Sequence, residues 1–234
     1  MRFSRFTALI GSMTYQNISN KTVLVAGIGG VGSFALEGLA RSGIGTIVIV
    51  DNDIVDETNS NRQLLALHST IGLRKVDVAK KRLLDINPDI KVISKAVFID
   101  ETTIDSVFDL PIDFIVDAVD YVNAKLSLLK KANQLQIPII AAMGFGNKLH
   151  PEMIKISLLS ETSICPLAKT MRQKVKAAGL SLDTPVVYSQ ESPLLPTDTA
   201  VKIGSSSTVP STAGLLMASY VINSFITQTK GEQI

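Results

Sequence analysis

Apolar runs of strand length alternate with stretches of helical periodicity through the first 150 or so residues. The runs predict strands at 22–26, 46–50, 114–119 and 138–142, and the periodic stretches predict helices at 31–42, 73–86 and 123–135. The strands are rich in Val, Ile and Ala, so we expect burial on both faces. The alternation predicts an α/β fold: a doubly wound, mostly parallel sheet with helices on both faces.

The pattern changes after about residue 150. Short strand-like pieces and a basic helix precede a stretch rich in Pro, Thr and Asp, at 154–159, 166–178, 186–189 and 193–199. We interpret this part as a substrate-facing subregion.

The final apolar stretch, 213–226, is 14 residues long and contains Ser219, Asn223 and Ser224. Because a bilayer span needs about 20 residues, we predict a buried helix and no integral membrane span, with interfacial membrane contact as the lesser alternative.

A glycine-rich turn, Gly27-Ile28-Gly29-Gly30-Val31-Gly32, follows the first predicted strand and opens a predicted helix. Glycine permits a tight turn and lets backbone N–H groups approach a phosphate at the helix N-terminus. Asp51 follows the second predicted strand, 19 residues after Gly32, where a carboxylate can accept hydrogen bonds from ribose hydroxyls. This spacing predicts a Rossmann-like nucleotide site and is compatible with either NAD or ATP. The residues assigned to it from the turn and strand end are Gly27, Gly29, Gly30, Gly32 and Asp51.

The polar loop after Asp51 favours a triphosphate. Arg62 lies in this loop and Lys75 follows 13 residues later. An arginine offers a fork of donors and a lysine a point charge, so together they can neutralise β- and γ-phosphates and departing pyrophosphate. The other polar residues assigned to the nucleotide site are Asp53, Asn59, Asn61 and Gln63. A solvated loop with a surface lysine is the alternative.

Composition narrows the class of protein. With 234 residues, 46% of them hydrophobic, the chain can bury a sizeable core, and 23 Lys and Arg against 21 Asp and Glu do not by themselves indicate a polyanion partner. A single cysteine, Cys165, excludes an intrachain disulfide and a zinc site built on Cys-x-x-Cys pairs. No secretory signal is evident in the first residues. We therefore expect a cytoplasmic location.

The segments 51–55 and 58–63, with Lys75 beyond them, resemble the nucleotide site of the ubiquitin-activating-enzyme-like (ThiF/MoeB) superfamily, whose members adenylate carboxylates. The resemblance implies ATP and Mg²⁺ as cofactors, with Asp51 on the ribose and Asn59 and Arg62 on the phosphates. It also implies a single adenylating domain over 1–234, with a nucleotide-binding core at about 20–150 and the substrate-facing subregion at about 151–234. Arg62, Lys75 and Asp120 are its implied catalytic residues.

Asp120 is the residue that the resemblance assigns to Mg²⁺. It follows the predicted strand 114–119, at the sheet edge where such folds bind ligands, and carboxylate oxygens suit magnesium. This chain has Tyr121 where superfamily members often have Asn or Thr. An ordinary helix N-cap is the alternative role for Asp120.

Further motifs resemble the family of tRNA threonylcarbamoyladenosine dehydratases: 2–5, 41–45, 69–72, 86–88, 143–149, 187–189 and 204–206. That resemblance implies adenylation of the threonine carboxylate of threonylcarbamoyladenosine, next to the tRNA anticodon, and then ring closure with loss of water. The chain departs from the family at Cys165, where Asp is usual, and at Thr208, where Phe is usual. The alternative function is adenylation of the C-terminal Gly of a small sulfur-carrier or ubiquitin-like protein. Many such enzymes carry a zinc site that one cysteine cannot build.

A tRNA partner requires cations on the protein surface. Lys169, Arg172 and Lys176 share one face of the predicted helix 166–178, and Lys148 follows a predicted strand, so these four are the tRNA-contact candidates. A merely solvated helix face is the alternative for the three helix residues, and a structural turn explains Lys148 equally well.

The resemblance also bears on assembly. It implies a homodimer in which an N-terminal arginine, Arg2 or Arg5, reaches the partner's ATP. It leaves open whether a monovalent cation binds and whether a sulfur or redox partner protein assists.

Overall fold

The computed structural model describes residues 2–195 and 203–231, so most of the predicted stretch 193–199 lies outside the described residues. Within them, one seven-stranded sheet has the order β3-β2-β1-β4-β5-β7-β6. The strands are β1 Thr22–Ala26, β2 Thr46–Val50, β3 Lys91–Lys95, β4 Phe114–Asp117, β5 Ile139–Ala142, β6 Ile154–Leu158 and β7 Pro185–Ser189. All neighbouring pairs are parallel except β6 with β7. The predicted α/β fold with a mostly parallel sheet is confirmed.

Helices cover both faces of the sheet. They are α1 Ser4–Ile10, α2 Ser12–Ser19, α3 Gly32–Arg41, α4 Lys75–Ile86, α5 Ile104–Val107, α6 Val122–Leu135, α7 Pro166–Ala177 and α8 Thr208–Lys230. Alternate residues of β1 divide between the two layers, because successive side chains of a strand point to opposite faces. Val23 and Val25 pack with α3, α4 and α8, whereas Leu24 and Ala26 pack with α5 and α6.

The sequence pattern located the central strands well and missed the edge strand β3. The bounds predicted for β1 and β2 are those observed, and the predicted helices of the first 150 residues lie within two residues of α3, α4 and α6. Strand β3 has the sequence KVISK and is only partly buried. A half-exposed edge strand with lysines at both ends lacks the continuous apolar run that marks a buried strand.

Helix α8 is longer than the predicted stretch 213–226, since it has 23 residues. The stretch Thr208–Thr229 passes a test of length and composition for a membrane span, so the predicted stretch was too short, but its burial agrees with the predicted buried helix and there is no clear membrane span among the described residues. More than half of that stretch is buried in the fold. A Cβ atom on Gly214 would lie 2.2 Å from the carbonyl oxygen of Val31, so α8 and the start of α3 touch backbone to backbone. This contact places the beginning of α8 beside the glycine-rich turn.

Candidate functional site

The glycine-rich turn is closed on itself and leaves no room for a Cβ atom at either end. A Cβ atom on Gly32 would lie 1.8 Å from the carbonyl oxygen of Gly27. Gly27 has φ +77°, and a Cβ atom there would lie 2.7 Å from the carbonyl oxygen of Ala118, just after β4. The turn therefore needs glycine at both ends, and it packs against the carboxyl end of β4 with the N-terminus of α3 directly behind it.

The Asp51 carboxylate joins this turn to the loop after β2. Its Oδ2 accepts a hydrogen bond from the N–H of Ile28 at 2.8 Å, and its Oδ1 accepts one from the N–H of Asp53 at 2.8 Å. The sequence spacing assigns Asp51 to the ribose. These two hydrogen bonds show that its carboxylate also holds the glycine turn and the loop after β2 together. Each carboxylate oxygen has a second acceptor site, so the predicted ribose contact is compatible with this geometry.

Lys75 is the first residue of α4, and its side chain is held by Asp53. The Lys75 side chain is buried, with its Nζ 2.8 Å from Asp53 Oδ2, and the backbone N–H of Lys75 donates to the carbonyl oxygen of Asp53. Asp53 thus takes part in the site through Lys75. Pairing with a carboxylate offsets part of the free-energy cost of burying the ammonium.

The loop that carries Arg62 lies against the glycine turn, as predicted. A Cβ atom on Gly30 would lie 3.5 Å from Arg62 Cγ, and one on Gly29 would lie 3.7 Å from Gln63 Nε2. The Arg62 guanidinium donates through Nη1 to the carbonyl oxygen of Thr58 and to Asn61 Oδ1. Only one terminal nitrogen is used in these bonds, so the remaining donors of the fork are available to an anion.

Asn59 and Asn61 were both assigned to the nucleotide site, and their side chains have hydrogen-bond partners within the protein. Asn59 is buried, and its Oδ1 accepts from the N–H of Asp56, which caps the short 3-10 helix Glu57–Asn59. The side chain of Asn61 donates through Nδ2 to the carbonyl oxygen of Ser205 at 2.8 Å. Both side chains therefore shape the loop that presents Arg62.

Asp120 lies exposed just after β4, and within the described residues it has no hydrogen-bond or ion-pair partner. Helix α6 has Tyr121 at its N-cap and shows no side-chain cap, so the structure does not support the alternative capping role for Asp120. The described residues contain no group of three or more His, Cys, Asp or Glu side chains that could hold a metal ion. Since Mg²⁺ typically uses one or two carboxylates together with substrate phosphates, a single exposed carboxylate beside a phosphate site fits it.

A buried ion pair beneath Asp120 was missed by the sequence reasoning. Asp117 ends β4 and Lys125 lies in α6; both side chains are fully buried, with Lys125 Nζ 2.9 Å from Asp117 Oδ2. The ammonium also donates to the carbonyl oxygen of Val119, and Asp117 Oδ1 accepts from the N–H of Val119. The pair therefore fixes the chain between β4 and Asp120. The signal was an acid in an apolar strand, eight residues before a lysine in the next helix.

Burial raises the pKa of the Asp117 carboxyl, and the Lys125 ammonium opposes that rise. No aligned hydrogen-bond donor reaches Asp117 Oδ2 within the described residues, so its contact with the ammonium is ionic. Losing the cation would leave a buried carboxylate with no compensating charge.

The four tRNA-contact candidates differ in exposure. Lys169 and Lys176 are exposed on α7. Arg172 is half-buried, and its Nη1 donates to the carbonyl and hydroxyl oxygens of Thr162. This bonding gives Arg172 a role within the fold.

Lys148 is 2% exposed, and its Nζ donates to the carbonyl oxygen of Ser189 at 3.1 Å. Burial lowers the pKa of this ammonium. A contact with tRNA phosphates requires an exposed cation, so the burial of Lys148 favours its alternative role, a structural one in the turn. Its bond instead joins the loop after β5 to the end of β7.

Residues 3–233 match the ThiF family. The chain belongs to this family. The resemblance found in the nucleotide-site motifs is thereby confirmed. In this ThiF family member Arg62 lies against the glycine turn, and Lys75 pairs with Asp53 in the loop after β2.

This ThiF family member is similar to two enzymes named tRNA threonylcarbamoyladenosine dehydratase. It is 41% identical to that of Bacillus subtilis (strain 168), over 94% of this chain and 93% of the relative. It is 35% identical to that of Escherichia coli (strain K12), over 75% of this chain and 66% of the relative. The solved structure of the E. coli enzyme TcdA in complex with AMP superposes with a TM-score of 0.93 at 30% identity, covering 99% of this chain and 96% of that one. A second TcdA structure, in complex with ATP, gives a TM-score of 0.92.

Proposed function

We propose that this protein uses ATP to adenylate the threonine carboxylate of threonylcarbamoyladenosine in tRNA, and that ring closure then completes a net dehydration. The observation that carries the proposal is that Arg62 lies against the glycine turn, while the buried Lys75 pairs with Asp53, which is bonded to that turn through Asp51. Similarity to enzymes of that name over nearly the whole chain supports the choice of substrate.

In the first step a carboxylate oxygen of the substrate attacks the α-phosphorus of ATP, and the bond to pyrophosphate breaks. The glycine turn offers backbone N–H groups at the N-terminus of α3 to phosphate oxygens. Arg62 and Lys75 neutralise the β- and γ-phosphates and the charge that develops on departing pyrophosphate. When bound, Mg²⁺ would supply further neutralisation of phosphate charge, and Asp120 is the residue that we propose would hold it.

In the second step the neighbouring carbamoyl group attacks the activated acyl carbon and releases a proton to solvent, and AMP leaves with the former carboxylate oxygen. The elements of water removed from the nucleoside therefore end in AMP and pyrophosphate. Because attacker and acyl carbon belong to one side chain, the reaction is intramolecular and needs no enzyme nucleophile. Cys165, the single cysteine, is 2% exposed, in agreement with a role in packing.

The proposal includes a surface for tRNA and an assembly. The tRNA contacts it retains are Lys169 and Lys176, because both ammonium groups are exposed. In the proposed homodimer Arg5 reaches the partner's ATP, because Arg5 is exposed and Arg2 already donates to the carbonyl oxygen of Ile86. We place the reaction in the cytoplasm; a monovalent cation and a sulfur or redox partner remain additions that the activity assay can test.

The decisive assay incubates the purified protein with ATP, Mg²⁺ and tRNA that carries threonylcarbamoyladenosine. Mass spectrometry of the digested tRNA should show the modified nucleoside lighter by one water. An unchanged mass with folded, ATP-binding protein contradicts the proposal. Pyrophosphate exchange that depends on a carrier protein ending in Gly-Gly, and not on tRNA, favours the alternative function.

Two substitutions test the roles of the cations in the same assay. Arg62→Ala and Lys75→Ala should each lower the rate by on the order of 10²-fold or more, because each removes charge that stabilises departing pyrophosphate. Lys80→Ala is the matched control, since Lys80 is an exposed lysine on the same helix as Lys75. Wild-type rates for both test variants would refute the roles assigned to them.

A further inference from the structure

A short strap, residues 204–206, runs between the Arg62 loop and the loop after β5. It leads into α8, and Pro210 near the start of that helix is the closest neighbour of a Cβ atom placed on Gly30, at 3.2 Å. The strap therefore lies beside the glycine turn, although it is about 140 residues away from Arg62 in sequence. Its hydrogen bonds show which parts of the site it joins.

One end of this connection is Asn61, which bonds to two partners at once. Its Nδ2 donates to the carbonyl oxygen of Ser205 at 2.8 Å, and its Oδ1 accepts from Arg62 Nη1 at 3.1 Å. Asn61 is exposed, so burial does not impose this orientation. The amide thus holds the Arg62 guanidinium in a position defined by the strap.

The other end is Asn147, in the loop after β5. Its Oδ1 accepts from the N–H of Gly204 at 2.5 Å, and its own N–H donates to the carbonyl oxygen of Gly204 at 2.8 Å. Ser206 Oγ donates to the carbonyl oxygen of Lys148. Asn147 has φ +59°, a left-handed conformation that Asn tolerates better than most residues.

The loop after β5 is itself firmly anchored. Lys148 donates to the carbonyl oxygen of Ser189, and the buried Glu191 carboxylate accepts from the N–H groups of Leu149 and His150. The loop therefore offers the strap a fixed support. Strand β5 pairs with β4, which leads to Asp120, so this support stands at the edge of the sheet where we place the substrate.

We propose that Asn61 and Asn147 are positioning residues that hold Arg62 against the ATP phosphates by joining it, through the strap, to the loop after β5. The inference rests on the proposed use of ATP. It adds that the affinity for ATP depends on Asn147, which lies in the loop after β5 at the edge of the sheet where we place the substrate. Asn147 touches neither Arg62 nor the glycine turn through any hydrogen bond of the described residues. An effect of Asn147 on ATP binding would therefore have to pass through the strap.

The test is calorimetry of the full chain with Mg²⁺ and an ATP analogue that carries a methylene group between the α- and β-phosphates. Asn147→Gly suits the left-handed backbone and removes only the side-chain bond to Gly204, so the Kd should rise about three- to tenfold, the effect of one hydrogen bond. Asn147→Asp keeps the acceptor oxygen and is the matched control, with a Kd within about twofold of wild type. A wild-type Kd for folded Asn147→Gly would overturn the inference.

A double-variant cycle separates one connected path from two independent effects. Asn61→Ala should also raise the Kd, and adding Asn147→Gly to it should raise the Kd no further, because the strap is already released from Arg62. Effects that multiply would overturn the inference.

A second measurement does not depend on the folding of the Asn147 variants. Asn61→Ala changes an exposed side chain, and it should increase hydrogen–deuterium exchange of the strap peptide containing Gly204, whereas unchanged exchange would count against the inference.

The proposed function can fail separately. If the wild-type protein binds the analogue and does not dehydrate the tRNA nucleoside, the substrate assignment is wrong and the strap can still be tested. If it dehydrates the nucleoside while both variants keep wild-type affinity, only the strap inference is wrong.

Discussion

Removing the buried cation beneath the site, with Lys125→Met, should destabilise the protein strongly. Methionine preserves most of the side-chain length and removes the charge, so the Asp117 carboxylate stays buried without its partner. Coulomb's law for the 2.9 Å separation, with an effective dielectric constant of about 20, gives an attraction of about 6 kcal/mol. Wild-type folding also has to desolvate the ammonium, which offsets part of this attraction. We therefore expect the free energy of unfolding to fall by about 3–5 kcal/mol.

The loss should depend on pH in a defined direction. Burial already raises the pKa of Asp117, and without Lys125 only the hydrogen bond from the N–H of Val119 still opposes that rise. A carboxyl whose folded-state pKa exceeds its unfolded value is protonated first in the folded protein, so this group favours folding at low pH and the benefit is lost as the pH rises through the folded pKa. The deficit of Lys125→Met relative to wild type should thus be smaller at about pH 5 than at about pH 7.5.

Urea denaturation of both proteins at the two pH values measures these free energies. The control is the double variant Asp117→Asn with Lys125→Met, which removes both charges and should recover much of the stability at neutral pH. If Lys125→Met loses less than about 1 kcal/mol, or if its deficit is independent of pH, Asp117 is not a buried carboxylate neutralised by Lys125. In that case the ion pair of Asp117 and Lys125 does not fix the chain between β4 and Asp120.

Four further substitutions test the turn and the tRNA surface. Gly32→Ala places a methyl group 1.8 Å from the carbonyl oxygen of Gly27, so calorimetry should show no ATP binding and thermal unfolding should shift down; wild-type affinity would contradict the closed turn. Lys169→Ala and Lys176→Ala should each weaken tRNA binding and reduce the slope of log K against log salt by about one, with thermal stability unchanged. Arg172→Ala should instead lower the melting temperature because its guanidinium is bonded within the fold, and salt titrations with tRNA alongside thermal unfolding distinguish the two behaviours.

Several features of this protein were predictable because their causes are local. The apolar runs of β1 and β2 predicted both strands with the observed bounds, since a strand buried on both faces must be apolar at consecutive positions. The turn from Gly27 to Gly32 predicted a backbone that closes on itself, because other residues do not fit there. The loop with Arg62 and the later Lys75 predicted cations near that turn, because the carboxyl ends of neighbouring parallel strands share one edge.

The partners of the polar side chains were decided only by the tertiary structure. Asp53 was assigned to the nucleotide and pairs with Lys75, and Lys148 was a tRNA-contact candidate and is buried against the end of β7. Asn61 bonds to Ser205, 144 residues away. Hydrophobic periodicity records which face of an element is buried, but it does not record which distant element lies against that face. A lysine that bonds to a carbonyl group of another element therefore has the same local sequence pattern as a lysine that binds a phosphate.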